Sequence, residues 1–422
     1  MVYSGLMEIG SQFAWGAAGL YACLFLALYF EIFLLISWLE RRPSKKTSAL
    51  PARYPTVDIL VPCFNEEKTV GATIESLLAM RYPAEKLTVT VVDDGSKDTT
   101  AAIARQYAAA HPNVRFYSKE NGGKYTALNF GIENSAADIV GCLDADSFVD
   151  EDALLEVVKR LEEDQSIMAI TPAMKVHRPK SALELMQAVE YTFGIFYKKM
   201  FDNLSAISVL PGPFSLYRRE VFKKIGMFRH AHNTEDMEIA FRMHAHGLKI
   251  VNAHTAYVYT TVPTTVRALV KQRTRWSQGF LQNSKDYAHM LFNRKYGNFG
   301  MLILPFGLGA FAAGLYTAGY TLYSIVSLVV RRIADYSATG IPLQLPSFKL
   351  EWFYLETSMV LFLTIAVISM TFFAIIMGGK MSHTTLKLRS FVAYFALYGF
   401  IAPVWLVKAA WGALLARESV WR

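Results

Sequence analysis

The sequence has few cysteines, and their positions indicate neither a metal site nor a disulfide framework. Its 422 residues include three cysteines, Cys23, Cys63 and Cys142. All three lie in apolar stretches, and no pair has the spacing of metal ligands. A zinc-binding or disulfide-rich protein is therefore not expected, and a reducing compartment fits.

Charged residues are also scarce, at 18% of the chain against 53% hydrophobic residues. This composition is too apolar for an ordinary soluble enzyme. The formal net charge is +8, but no basic helix or arginine-rich arm stands apart from the apolar segments. We therefore expect no nucleic-acid partner, and attribute the excess positive charge to membrane topology and to binding of an anionic cofactor.

The apolar residues are concentrated at the two ends of the chain. A bilayer crossing needs about 20 apolar residues, and the sequence has four runs of that order, at about residues 13–39, 301–330, 353–377 and 391–415. Pro305 leaves open that the second run is broken into a re-entrant piece. The predicted organisation is a membrane helix with a basic linker (1–50), a middle domain (51–295) and a C-terminal membrane region (296–422).

Basic residues beside the apolar runs predict the orientation. Positive charge marks the cytoplasmic side, and it occurs after the first run and between the last two, at Arg41, Arg42, Lys45, Lys46, Lys380, Lys387 and Arg389. The first run lacks a basic start and a small-residue cleavage site, so we expect an anchor and not a cleaved signal. The sequence thus predicts an integral protein of the plasma or inner membrane with a cytoplasmic middle domain. Glu31, inside the first run, is either a functional residue or one hydrated near the interface.

The middle of the chain alternates between strands and helices. Strand-like runs occur at about residues 57–64, 87–94, 114–118 and 139–143. Continuous apolar strands separated by helices predict a parallel sheet covered on both faces. Two amphipathic helices follow, at 181–202 and 264–291, and both suit a membrane interface. An ordinary helix packed on the sheet is the alternative for the first of them.

The last of these strands ends in two carboxylates. Residues 139–146 read IVGCLDAD, which places Asp144 and Asp146 one residue apart. At the carboxyl edge of a parallel sheet such a pair can hold a divalent cation that carries a diphosphate. Their hard oxygens suit Mg²⁺ or Mn²⁺. The alternative is a turn in which the aspartates cap the next helix.

Two earlier segments are candidates for a nucleotide pocket. Asp93 and Asp94 end the second strand, where carboxylates can accept hydrogen bonds from a nucleobase or ribose, although they also favour a turn. Gly122 and Gly123 precede a helix and leave backbone donors free, and Lys124 adds a positive charge for an anionic ligand.

Two later segments are candidates for a base and a phosphate clamp. Glu235 and Asp236 open a helix, where Asp236 is a candidate general base for an acceptor hydroxyl, although acids there also favour the helix dipole. Gln272, Arg275 and Trp276 fall on one helical face. Arginine offers a fork for phosphate oxygens and tryptophan a flat surface for a sugar. A basic, aromatic helix at a membrane interface would contain similar residues.

With these motifs in this order, residues 57–291 resemble a membrane-bound member of glycosyltransferase family 2, the group of the cellulose, chitin, hyaluronan and poly-N-acetylglucosamine synthases. VPCFNEEKTV from Val61 and NGGKYTALNFGI from Asn121 are also similar to this family. EYTFG, YTTVP and KQRTRWSQG are most similar to the poly-N-acetylglucosamine synthases. The resemblance implies an α/β fold of the GT-A type, Rossmann-like with a mostly parallel sheet, with interface helices and flanking transmembrane helices.

The resemblance also implies roles for individual residues. Asp144 and Asp146 would bind the metal, Mg²⁺ or Mn²⁺, and Asp236 and Glu235 would be catalytic. The residues implied at the substrates are Trp276 and Gly212 for the acceptor and, for the nucleotide and donor, Pro62, Asn65, Glu66, Asp93, Asp94, Lys124, Asp144, Gln272, Arg273 and Arg275. Many relatives have Ser-Gly or Thr-Gly near the acceptor, whereas this chain has LPGP at 210–213, which leaves the acceptor open.

The implied reaction is inverting, metal-dependent transfer of a hexose from a UDP-sugar, first among them UDP-N-acetylglucosamine, to elongate and export a β-linked polysaccharide. The alternative is transfer of one sugar to a membrane lipid, as by the similar ceramide glucosyltransferases. The expected partners are the UDP-sugar donor, the growing polysaccharide or lipid acceptor, and membrane lipids. Because four spans are few for a polymer channel, a contribution from a second copy or an accessory subunit is left open.

Overall fold

The structure, a computed structural model, describes residues 2–40, 51, 53–340 and 359–415, with side chains from residue 16 onward. The basic residues Arg41, Arg42, Lys45 and Lys46, from which the orientation of the first span is predicted, lie outside this set. The chain divides into two compact units, Met1–Ile36 with Phe306–Phe373 and Ser37–Pro305 with Ala374–Arg422.

The larger unit is built on a mixed sheet. Its strands are β1 (Val57–Cys63), β2 (Leu87–Asp93), β3 (Val114–Ser118), β4 (Ile139–Cys142), β5 (Ser147–Val149), β6 (Ile167–Val176), β7 (Ser215–Arg218) and β8 (Lys249–Thr260). They form one eight-stranded sheet in the order β3-β2-β1-β4-β7-β6-β8-β5. The first four in this order are parallel, as the sequence predicts. The other half contains antiparallel pairs, because β7 runs against both β4 and β6 and β5 runs against β8.

Helices connect and cover these strands. They are α1 (Val2–Leu39), α2 (Val70–Leu78), α3 (Thr100–Ala110), α4 (Lys124–Glu133), α5 (Ala153–Glu163), α6 (Ala182–Asn203), α7 (Glu220–Ile225), α8 (Glu235–Ala245), α9 (Val266–Asp286), α10 (Leu304–Thr339), α11 (Met359–Met381) and α12 (Leu388–Leu414). Side chains such as Ile59 and Val89 in the parallel strands are fully buried, together with Ile74 of α2 and Leu128 of α4. Burial on both faces accounts for the continuous apolar strands.

The strand register brings three predicted motifs to one edge. Cys63 at the end of β1 is opposite Asp93 at the end of β2, and Leu60 is opposite Cys142 at the end of β4. The antiparallel β7 starts at this edge, because Ser215 is opposite Cys142. The segment before β7, which includes Gly212, therefore reaches the carboxyl ends of the parallel strands.

The two predicted amphipathic helices, α6 and α9, pack against the last helix. Ser181 and Glu184 form a reciprocal capping box at the start of α6. Val189 of α6 and Leu269 of α9 share a buried cluster with Tyr394 of α12. Because α6 also contacts β6 and β8, it packs on the sheet as well as on an apolar helix.

Among the described residues, four helical segments are long and apolar enough to cross a membrane, which confirms the predicted number. They are Gly16–Leu39, Phe299–Thr339, Met359–Met381 and Leu388–Leu414. The second is not interrupted at Pro305, since α10 continues through it for 36 residues and proline is tolerated in the first turn of a helix. In the smaller unit, Glu31 Oε1 accepts a hydrogen bond from Thr371 Oγ1 at 2.9 Å, so Glu31 faces a neighbouring helix.

Candidate active site

Lys124 joins two of the predicted motifs. It begins α4, and its ammonium forms an ion pair with Asp144 beyond the end of β4. The same Nζ lies 3.6 Å from Oε1 of Glu235, at the start of α8. Burial alone would lower the pKa of Lys124, but the two carboxylates hold it above its ordinary value. Lys124 therefore carries a positive charge between the aspartate pair and the base motif.

Gly212 lies against this ion pair. A Cβ atom at position 212 would come within 2.6 Å of Asp144 Oδ1 and would also overlap the Lys124 ammonium. Such a distance is shorter than any ordinary van der Waals contact. The lack of a side chain at Gly212 is thus what allows its backbone to approach Asp144.

Asp144 and Asp146 have the chemistry of a divalent-cation site. Burial, together with the nearby Asp144 and Glu66, raises the pKa of Asp146 to about 6. Two carboxylates that disfavour each other's ionisation would be stabilised by a bound cation. In the part of the chain that the structure describes, no group of three or more His, Cys, Asp or Glu side chains is placed to hold a metal. The pair fits Mg²⁺ or Mn²⁺, which commonly use one or two carboxylates together with substrate phosphates.

Asp236 lies where the motifs converge. Burial, followed by the neighbouring Glu235 carboxylate, raises the pKa of Asp236 to about 6. Lys124 and Arg275 oppose this shift, and Asp144 adds to it. Lys124 contacts both Asp144 and Glu235, and Arg275 contacts the residue before the base motif. The metal motif, the base motif and the arginine of α9 therefore share one region.

Arg275 reaches this region from α9. Its Nη1 donates to the carbonyl of Asn233 at 2.8 Å, directly before the base motif. Ala231, His232 and Asn233 all have positive φ angles, of 43°, 56° and 59°, a conformation that costs energy in residues other than glycine. Contacts from α9, including the His232–Asp286 pair at 2.8 Å, hold this turn in place.

Arg273 is engaged elsewhere. Its Nε and Nη2 donate to the two carboxylate oxygens of Glu190 on α6, at 3.1 and 2.9 Å, and its Nη1 donates to Gln272 Oε1 at 2.7 Å. The guanidinium also stacks 4.1 Å from the ring centre of Trp276. Arg273 therefore joins α9 to α6 in the structure, and its predicted contact with a donor stays a prediction.

The two candidate nucleotide segments form one unit. Asp94 Oδ1 accepts hydrogen bonds from Lys119 Nζ at 2.7 Å and Gly122 N at 3.1 Å, and its Oδ2 accepts from Gly123 N at 2.8 Å. Asp94 therefore holds the Gly-Gly turn before Lys124. The prediction that Gly122 and Gly123 leave their backbone donors free is wrong, because both N–H groups donate to this carboxylate. Asp93 accepts hydrogen bonds from Ser96 N and Ser118 Oγ.

Residues after β1 adjoin the same edge of the sheet. Pro62 pairs with Val92 in β2. Asn65 has a positive φ of 56° and accepts from Lys97 N at 2.9 Å. Glu66 is near enough to Asp146 to raise its pKa. Pro62, Asn65 and Glu66 thus lie around the predicted pocket, and their contact with a donor stays a prediction.

Sequence analysis missed two residues of α6 near the site. The pKa of Tyr191 is raised, first by burial, and Arg273, Glu190 and Asp146 are the charged groups that act on it. Lys198 lies within electrostatic reach of Asp236. Both lie on a helix that the sequence predicts to be amphipathic. The feature that could have identified Lys198 is its position as a polar residue beside large aromatic residues of that helix.

The fold and this cluster define a class of protein. The solved structure of the mannosyltransferase PcManGT from Pyrobaculum calidifontis, in complex with GDP-Man and Mn²⁺, superposes with a TM-score of 0.64 at 19% identity. The superposition covers 96% of this chain and 99% of that one. The fold is accordingly that of a GT-A glycosyltransferase flanked by apolar helices, as the resemblance implies.

Residues 55–279, more than half of the chain, match the family described as Glycosyltransferase like family 2. The protein therefore belongs to glycosyltransferase family 2. It is 30% identical over 266 residues to a poly-beta-1,6-N-acetyl-D-glucosamine synthase of Staphylococcus epidermidis, and 30% identical over 265 residues to one of Staphylococcus aureus. Each match covers 60% of this chain and 64% of the relative, so it spans slightly under two thirds of those proteins.

Proposed function

We propose that this protein transfers N-acetylglucosamine from UDP-N-acetylglucosamine to the end of a growing β-linked polysaccharide and exports the product across the membrane. The observation that carries the proposal is that Lys124 contacts both Asp144 and Glu235, the neighbour of Asp236 in the sequence. Arg275 contacts the residue just before this base motif. A proton acceptor beside a cation-binding pair and two positive charges is the arrangement that sugar transfer from a nucleoside diphosphate needs. The similarity to the staphylococcal synthases supports the choice of sugar and of a polymeric product.

In the proposed reaction Asp236 takes the proton from an acceptor hydroxyl. The hydroxyl oxygen then bonds to the anomeric carbon of the donor sugar as the bond from that carbon to the diphosphate breaks. Attack from the side opposite the diphosphate inverts the configuration and gives the β-linkage. The charges of Lys124 and Arg275 stabilise the diphosphate as it leaves.

A divalent cation bound at this site supplies further positive charge for the leaving diphosphate. Asp144 and Asp146 would hold it, with Mg²⁺ or Mn²⁺ as the fitting ions. Asp93, Asp94, Asn65 and Glu66 are proposed around the nucleotide, with Pro62 in the adjoining strand. Trp276 and Gly212 are proposed on the acceptor side.

The test is a donor screen with the purified full-length chain in lipid nanodiscs. UDP-N-acetylglucosamine, UDP-glucose, UDP-glucuronate and GDP-mannose are each supplied with Mn²⁺ or Mg²⁺. The masses of the products in the polymer and lipid fractions are measured by mass spectrometry. We expect a polymer of N-acetylglucosamine from the first donor, cleaved by a β-specific hexosaminidase. A lipid carrying a single sugar would establish the alternative acceptor, and no transfer from any donor would refute the proposal.

We also propose that the catalytic domain faces the cytoplasm, where nucleotide sugars are made. Tyr257 of β8 donates from its hydroxyl to the carbonyl of Met381 at 3.3 Å, at the end of α11. Lys380 lies in the last turn of α11, Lys387 precedes α12 in the turn that follows, and Arg389 lies in the first turn of α12. The domain therefore contacts the basic side of the last two spans, which the charge rule assigns to the cytoplasm.

A further inference from the structure

Lys198 is a half-buried lysine whose ammonium group the proposed mechanism does not use. It lies on α6, and its Nζ donates to the hydroxyl of Thr171, in β6, at 3.2 Å. Within the described ranges this is the hydrogen bond that the side chain makes, and no carboxylate lies within ion-pair distance of it. Burying a charged group costs free energy unless its donors find acceptors. Two N–H groups of Lys198 thus remain to be satisfied.

The neighbouring lysine of α6 has a different environment. Lys199 Nζ donates to Asp202 Oδ2 at 2.7 Å, and Asp202 in turn accepts from the backbone N–H of Asn252 at 3.1 Å. The charge of Lys199 is therefore matched within the protein. Among the residues that the structure describes, Lys198 has no carboxylate partner of this kind, although it is only one residue away.

The surroundings of Lys198 indicate which substrate is close to it. Thr171 follows Ile170, which is opposite Leu216 of β7, so Lys198 reaches the sheet edge at which β7 begins. Asp236 acts on its ammonium there. Burial outweighs Asp236 and lowers the pKa of Lys198 to about 8. Because the donor's diphosphate is expected beside Asp144 and Lys124, a position of Lys198 near Asp236 fits the acceptor side of the base.

We propose that Lys198 is an acceptor-binding residue, whose free N–H groups donate to a hydroxyl or acetamido oxygen of the acceptor sugar and hold the attacking hydroxyl against Asp236. This inference rests on the proposed function and adds the residue that recognises the acceptor. Sugar oxygens supply the acceptors that a desolvated ammonium lacks. An acceptor bound in this way loses a charged hydrogen bond when Lys198 is removed, and the donor site is unaffected.

The experiment compares Lys198→Met with the wild-type full-length chain in nanodiscs. Two rates are measured with UDP-N-acetylglucosamine: hydrolysis of the donor by water, and transfer to a soluble β-linked N-acetylglucosamine oligosaccharide. We expect transfer at low acceptor concentration to fall by about tenfold or more, through a higher acceptor KM, as for loss of a hydrogen bond to a charged group. Donor hydrolysis should remain at the wild-type rate. Lys198→Arg, which keeps a cationic donor, should restore part of the transfer.

Lys180→Met is the matched control, because Lys180 is exposed just before α6 and should leave both rates unchanged. Transfer by Lys198→Met at the wild-type acceptor KM would overturn the inference alone. Equal losses of hydrolysis and transfer would also overturn it, since the residue would then support the donor site or the fold. A wild-type protein that neither hydrolyses nor transfers any nucleotide sugar would instead refute the proposed function, and the inference with it.

Discussion

At the scale of single residues, the opposing charges around Asp236 suit a proton acceptor. Lys124 and Arg275 favour its ionised form, whereas burial, Glu235 and Asp144 oppose it. Asp236→Asn keeps the size of the side chain but removes its basicity. We expect turnover to fall by about 10²- to 10⁴-fold, the usual contribution of a general base, with donor affinity retained. Initial rates and equilibrium binding of UDP-N-acetylglucosamine check this, and wild-type turnover in the variant would exclude Asp236 as the base.

The raised pKa of Asp236, about 6, predicts the pH dependence of the reaction. Below that pKa the carboxyl group already carries the proton that it must accept. Activity should therefore decrease as the pH falls through about 6, and should level off above it. The check is kcat/KM measured between about pH 5 and 8, with Mn²⁺ saturating at each pH so that titration of Asp146 does not contribute. Activity that stays nearly level down to about pH 5, as the ordinary aspartate pKa of about 4 would give, would contradict the assignment.

Gly212 offers a test of the geometry around Asp144. In Gly212→Ala the new methyl group would lie 2.6 Å from Asp144 Oδ1, so either the carboxylate or the backbone must shift. Overpacking of this kind costs about 1–3 kcal/mol, and we expect kcat/KM to fall by about tenfold or more. Mn²⁺ titrations should show weaker metal binding, as a higher Mn²⁺ concentration for half-maximal activity.

Gly194→Ala is the control for this substitution. Gly194 lies in the exposed part of α6, where an added Cβ meets nothing within 4 Å. We expect it to be as active as the wild type, because alanine also favours the helix. Equal activities for the two variants would show that Gly212 does not constrain Asp144.

At the scale of secondary-structure elements, the Glu190–Arg273 pair joins α6 to α9. The two side chains are 22% and 5% exposed. Removing one partner of a buried pair leaves an uncompensated charge and costs about 3–5 kcal/mol. We therefore expect Glu190→Gln to lower the unfolding temperature of the detergent-solubilised protein clearly. The measurement is thermal unfolding followed by intrinsic tryptophan fluorescence.

An exposed pair provides the comparison. Arg81 and Glu151 are 3.1 Å apart, but their side chains are 65% and 59% exposed. Such pairs contribute about 0–1 kcal/mol, so Glu151→Gln should unfold close to the wild-type temperature. If Glu190→Gln unfolded at the same temperature as Glu151→Gln, the Glu190–Arg273 pair would not stabilise the protein more than an exposed pair does.

The elements also show which parts of the fold and the site could be predicted from the sequence. Asp144 and Asp146 could be placed at a sheet edge because β1, β2 and β4 are continuous apolar runs, which indicate a parallel sheet on their own. The approach of Gly212 could not be predicted, since it depends on β7, a four-residue strand with no distinctive pattern. Arg273 and Glu190 are 83 positions apart. Helical periodicity predicts on which face of a helix a residue lies. It does not predict the partner of that residue on another helix, because the partner depends on how the two helices pack.

At the scale of the whole molecule, the proposed function requires the catalytic domain and the nucleotide sugars to be on one side of the membrane. Within the larger unit, the catalytic domain contacts one end of α11, through the hydrogen bond from Tyr257 to the carbonyl of Met381. The location of that end therefore decides the location of the domain. Thr385, exposed in the turn after α11, and Met359, 62% exposed at the start of α11, mark the two ends of this span.

Cysteine labelling of these two ends tests on which side of the membrane each end of α11 lies. In intact cells a membrane-impermeant maleimide should label Met359→Cys and leave Thr385→Cys unlabelled, because the basic turn is expected in the cytoplasm. Permeabilised cells should label both variants. The wild-type protein, labelled in parallel, is the blank, since it measures any signal from the partly exposed Cys23 and from the buried Cys63 and Cys142. Labelling of Thr385→Cys in intact cells would place the carboxylate cluster outside the cell, where no nucleotide sugar could reach it, and would refute sugar transfer by this domain.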